Sequence, residues 1–231
     1  MHIQPRTWLY GNREQGQQPK LKSMTPALAK EHSHEFLRRH SVPINEALPL
    51  IETMDELSPQ EASSVAMRIV VLNHVIGIGF GGDARRLKGL LEEFGLFAHA
   101  SRREQDLLSR TDHTPQEKVN ATWLVECVQS LSWCLGLVGL DPFRHCDDDL
   151  ASHFPKPFAD PRDFIASARL RPLDEIFQQA DLHYRLHWAS RNARLMHQRC
   201  SVSEGLISER RKALDWVIGV EADWDKIPLD T

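Results

Sequence analysis

The sequence is most informative at first in what it lacks. Apolar and polar residues nowhere alternate with a period of two, so no half-buried strand is expected along the 231 residues. The four cysteines, Cys127, Cys134, Cys146 and Cys200, show no CxxC spacing. Cys127 and Cys134 lie seven apart in one helical pattern, which suits reduced, buried, inert thiols better than a disulfide framework. No basic stripe is present beyond short pairs such as Arg38-Arg39 and Arg210-Arg211, and 28 basic against 32 acidic residues give a net charge of −4. Nucleic acid is therefore not an expected partner. The opening stretch has no apolar core behind a basic tip, so no signal peptide is expected. The most apolar run, IVVLNHVIGIGF at 69–80, is broken by Asn73 and His74 and is too short to span a bilayer. These absences favour a cytoplasmic protein without a membrane partner. No GxSxG stands on a strand, so no serine nucleophile is expected.

What is present is a series of helix signals in a chain that is 41% hydrophobic and 26% charged, enough for one core of normal size. Residues 1–25 are polar and rich in Gln, Lys and Gly, and read as a flexible extension of a helical domain spanning 26–231. ALAKEHSHEFLRRH at 27–40 fits a short helix, with His32, His34 and His40 on a solvated face. Pro43 and Pro49 keep the next stretch extended. Ser58 to Glu61, Ser101 to Glu104 and Thr114 to Glu117 each have the form of a capping box, in which a hydroxyl and a Glu satisfy free N–H groups reciprocally. Asp83 opens a further helix that Gly95 closes. Helices are thus predicted near 59–77, 84–94, 102–110, 115–138, 173–197 and 204–218. A long Pro- and Asp-rich connection occupies 140–161. The fold class is all-α.

Several motifs weaken on inspection. GIGFGGD contains GxGxxG at Gly77, Gly79 and Gly82, but a helical apolar period runs into it where a dinucleotide site needs a strand; a Gly-rich helix end is expected. His183 and His187 have the i, i+4 spacing of metal helices, yet no Glu follows the first His and His183 projects outward. The acidic loop RHCDDD around His145 and Cys146 reads as a solvated turn. No metal and no cofactor is expected.

The sharper feature is charge on faces that look buried. Turning each helix by 100° per residue puts Phe177, Tyr184, Trp188 and Leu195 on one apolar side of the 173–197 helix. Leu182, Leu186, Ala189, Ala193 and Met196 fall on a second, with Asp181, Arg185 and Asn192 between the two. Gln179, His183, Ser190 and Arg194 are left for solvent. On 204–218, Glu209 and Arg210 fall within the apolar arc, while Arg211, Lys212 and Asp215 face away. Glu126 lands beside Trp133. Isolated buried charges cost several kcal/mol or more, so such groups are nearly always paired. The expectation is one partly buried network of Glu126, Asp181, Arg185, Glu209 and Arg210, fenced by Trp123, Tyr184, Trp188 and Trp216, with Arg191 completing the charge balance. In the plainer reading the network only fixes helix register, and this is preferred over a functional pocket.

Two functions fit. One is a binding or regulatory module that offers a groove to a protein or small ligand. The other is an enzyme in which a carboxylate of the cluster acts as general acid or base while Arg185 or Arg210 holds an anion. The enzyme needs the cluster to open on a concave pocket with one carboxylate lacking a cation partner.

TWLVECVQSLSWCLGLV, LRPLDEIFQQADLHYRLHWASRNARL, SERRKALDWVIG and the terminal DWDKIPLDT together resemble the bacterial family named domain of unknown function 4272, over most of 43–231. The resemblance implies a helical cytoplasmic domain and carries over no activity. By position, the family pattern includes Trp123, Glu126, Asp181, Tyr184, Arg185, His187, Trp188, Arg191, Glu209, Arg210 and Trp216. It ends on Trp224, Asp225, Asp230 and Thr231. Leu124 stands where the family more usually has Arg, so a network using that Arg would draw here on Arg171 or Arg191. The terminal segment is expected to pack back on the last helices, anchored by Trp224, with Asp225 or Asp230 meeting arginines.

Overall fold

A computed structural model describes residues 24–231, and the flexible extension expected for 1–25 lies almost wholly outside them. Helix starts follow local chemistry. The Thr25 hydroxyl accepts from the Leu28 N–H at 3.2 Å and opens α1, Pro26–Arg39. Asp83 caps α3, Ala84–Glu93, and the Ser101–Glu104 and Thr114–Glu117 boxes form at the starts of α4, Arg102–Ser109, and α5, Pro115–Cys134. The long helices α2, Ala62–Gly79, α7, Leu173–Leu195, and α8, Glu204–Ile218, complete the frame with the short α6, Arg162–Ser167. Among the described residues there is no strand, and the all-α class holds.

The main helices pack in the order α2, α5, α8, α7, α1. One core lies between α2, α5 and α8, a second between α2, α3 and α4, and a third between α1, α7 and α8. Gly79 permits a close crossing of α2 and α5: a Cβ there would lie 2.8 Å from the Lys118 carbonyl oxygen. The helix α2 extends the apolar run at 69–80 toward its N-terminus. Its 18 residues are long and apolar enough to cross a membrane by length and composition, and 61% of them are buried inside this fold.

The boundaries differ from expectation for identifiable reasons. The Ser58 box does not form; α2 begins after Glu61 without a side-chain cap. The segment is engaged elsewhere, because the Gln60 N–H donates to the Val217 carbonyl at 2.8 Å and Ser58 lies against Gly219 at the end of α8. Gly219 (φ +86°) ends α8, and Gly136 (φ +74°) follows the end of α5, which therefore stops short of 138. The GIGFGGD stretch is a helix end and turn, with Gly81 at φ +84°.

The terminal segment packs back as expected. Trp224 is buried and meets Trp216 edge-on at 5.5 Å, between the Arg68 and Lys212 cations at 4.8 and 4.7 Å from its ring. Both expected aspartate contacts use one backbone group. The Arg103 backbone N–H donates to the Asp225 carboxylate at 3.0 Å, and the Arg211 guanidinium donates to the Asp230 carbonyl at 2.9 Å.

Candidate functional site

The five charged residues expected in one network are buried or half-buried, but they separate into distinct units. Glu126 on α5 and Arg210 on α8 form a closed ion pair at 2.8 Å, each 1% exposed. This pair also grips the connection between α5 and α6. The Glu126 carboxylate accepts from the Cys146 backbone N–H at 3.1 Å and meets His145 Nδ1 at 3.0 Å. Arg210 donates to the carbonyls of Asp141 at 2.6 Å and Arg144 at 2.9 Å. A planar guanidinium can hold a carboxylate and two carbonyls at once, which an ammonium cannot do in that geometry.

Asp181 and Arg185 form a second closed pair along α7, with two bonds of 2.8 Å and almost no exposure. No hydrogen bond joins it to Glu126 or Arg210. The helical projection missed a third pair. Arg211 and Asp215, assigned to solvent, are 6% exposed and meet at 3.0 Å. Burial pushes the Asp215 carboxyl up to about 7 even with Arg211 beside it. Arg211 Nη1 donates to His187 Nδ1 at 3.1 Å, and burial followed by Arg211 brings that imidazole down to about 4. Tyr184 lies between the two arginines, 4.9 Å from Arg211 and 5.8 Å from Arg185. His183 and Ser190 are likewise buried rather than solvated, because α1 and α8 both cover α7, whereas Leu195 and Met196 at its end are exposed. His34 is also buried, 3.3 Å from Glu46.

The aromatic fence disperses as well. Trp123 packs over Gly205 with its ring 6.0 Å from His145, Trp188 belongs to the third core, and Trp216 sits with Trp224 in the first. Arg191 reaches the Leu229 carbonyl at 3.4 Å instead of a carboxylate. No group of three or more His, Cys, Asp or Glu able to hold a metal occurs among the described residues.

Among the described residues, two cavities have volumes of about 740 Å³ each, and a smaller one of about 190 Å³ is lined by Tyr184, Arg211 and Asp215. The first is charged and lies between α4, α5, α8 and the terminal segment. Arg110 is neutralised there by Asp106 and Glu117, and Glu104 by Arg68. Glu209 has no cation partner among the described residues; it accepts from the buried Cys127 thiol at 3.1 Å. Of the expected network, Glu209 alone borders this cleft.

The second cavity is mostly apolar. Ile76 of α2, Phe80 just after it, Val125 and Val128 of α5, and Leu150 and Phe154 of the connection supply its apolar surface. Its wall, residues 146–157, is fastened at both ends. At the start, Glu126 holds Cys146, and Gln129 exchanges bonds with Asp147 at 3.0 and 3.2 Å. At the far end His74 Nε2 lies 3.1 Å from the Pro157 carbonyl. The acidic loop is a solvated turn as expected, with Asp147, Asp148 and Asp149 exposed, and it is pinned at Cys146 and Asp147 as well. The sequence signal that could have found it is Gln129, a polar residue on the buried stripe of α5 with no partner in its own helix. Phe80, 74% exposed on the rim, is a large apolar side chain beside the mouth.

The family model described as domain of unknown function (DUF4272) matches residues 29–227. The chain belongs to that family. Comparison with curated proteins and with solved structures finds no match.

Proposed function

We propose that this protein is a cytoplasmic binding module whose ligand site is the apolar cavity between α2, α5 and the 146–157 wall. The observation that carries this reading is the use of the Glu126–Arg210 pair. Burying two charges gains little stability over a well-packed apolar alternative. Here the remaining bonds of both residues go to the segment 141–146, three of them to its backbone and one to the His145 ring, which positions the wall. A cavity of this size, apolar with a few convergent polar groups, has the character of a small-molecule site. The four free thiols suit a reducing compartment. Octan-1-ol, followed by amide chemical shifts of the full chain, tests the site. Saturable shifts confined to Ile76, Val125, Val128 and Leu150, weakened in Phe80→Ser, are expected. Shifts that never saturate, or that map elsewhere, overturn it.

An enzyme centred on Glu209 is the second reading, favoured by one observation: this carboxylate borders the charged cleft without a cation partner. It requires substrate turnover that disappears in Glu209→Gln. Incubation with a cell-extract metabolite pool, read by mass spectrometry, decides between them. Equal metabolite profiles for the wild type and the variant overturn the enzyme.

A further inference from the structure

The apolar cavity has a polar end of one sign, and the geometry points to an amphipathic cation, an alkyl- or arylalkyl-ammonium, as its ligand class. This rests on the proposed binding site and adds the identity of the head group. Asp147 and Asp148, both exposed, border the cavity at the start of the wall. Asp148 has no hydrogen-bond or ion-pair partner among the described residues, and Asp147 meets only the neutral amide of Gln129. The one basic residue bordering the cavity, Lys156, stands at the other end of the wall, eight residues further on. A hydrocarbon chain between Ile76, Val125, Val128 and Phe154 gains from leaving water. Its ammonium at the Asp147–Asp148 end donates to carboxylates that no protein cation neutralises, and its three N–H groups match two acceptor pairs. A carboxylate head at the same end meets like charge.

Three probes with the same tail test this on the full chain: octan-1-amine as its hydrochloride, octan-1-ol and sodium octanoate, each titrated below its micellar concentration. The readout is the amide shift of the cavity residues. The ammonium is expected to bind about two- to fivefold more tightly than the alcohol, the factor that a partly exposed ion pair supplies, and the carboxylate most weakly. Raising the salt concentration is expected to shrink the preference. The double variant Asp147→Asn with Asp148→Asn keeps an acceptor for Gln129 and is expected to abolish the preference while still binding the alcohol. If the alcohol binds but the ammonium does not bind more tightly, or the double variant keeps the preference, the ammonium inference fails and the cavity stands. If none of the three binds saturably at the cavity, both fail.

Discussion

Glu126 and Arg210, 84 positions apart in sequence, meet at 2.8 Å in a place that excludes water almost completely. Removing either partner leaves the other charged and buried, a situation that costs far more than the pair itself contributes. Arg210→Ala is expected to lower the unfolding free energy by ~3–5 kcal/mol, measured by urea denaturation. A loss below about 1 kcal/mol, the level of an exposed pair, would contradict the burial.

Arg185→Ala should cost a similar ~3–5 kcal/mol, because it strands the Asp181 carboxylate at 0% exposure. The two losses are expected to add in the double variant, since no hydrogen bond links the pairs. A coupling energy above about 1 kcal/mol would show that they act as the single network the sequence suggested.

His183 makes one bond, Nδ1 to the Gln179 carbonyl of its own turn at 2.8 Å, and its Nε2 is buried without a partner. Burial lowers its pKa to about 3. The folded protein therefore holds the ring neutral, while the unfolded chain takes up a proton below its ordinary value near 6.5. Its contribution is complete above pH 6.5 and is lost as pH falls toward 3. His183→Leu removes that titration and the unpaired nitrogen together. The variant is expected to match or exceed the wild type at pH 5 and to gain on it further as pH falls, in urea titrations across that range. An unchanged difference between pH 7 and pH 4 would contradict this.

Cys146 borders the apolar cavity, and burial, followed by the Glu126 charge, raises its thiol pKa. Its alkylation by N-ethylmaleimide is expected to be slow and to slow further, about tenfold, when octan-1-ol occupies the cavity. Peptide mass spectrometry with Cys200 as the internal reference reads this. Equal protection of Cys146 and Cys200 would argue against occupancy at the cavity.

The helices and most of their caps were legible because they depend on residues within four positions of each other: Ser101 with Glu104, Thr114 with Glu117, Asp83 with Arg85. Membership of the buried pairs was half legible. Periodicity marks Asp181 and Arg185 as buried because they lie between two apolar sides of α7. It fails for Arg211, Asp215 and His183, since a helix covered on several sides has no solvent face for polar residues to mark. That Asp181 meets Arg185 one turn along the same helix was legible, whereas that Glu126 meets Arg210 was not, because this pairing depends on where α5 and α8 cross. The cavity was hidden for a related reason. Its wall is an irregular connection, and the residues that fasten it, Glu126, Gln129 and His74, lie on two different helices.

In the proposed function the buried Glu126–Arg210 pair shapes the ligand cavity by holding its wall. Arg210→Lys tests this most directly, because it keeps the charge but cannot hold Glu126 and the carbonyls of Asp141 and Arg144 together. In a variant whose helical circular dichroism is unchanged, amide hydrogen exchange at Cys146 and Asp147 is expected to quicken about tenfold. Octan-1-ol affinity should fall by about the same factor, equivalent to ~1.4 kcal/mol. Wild-type exchange at those two amides together with wild-type affinity would show that the pair does not hold the wall.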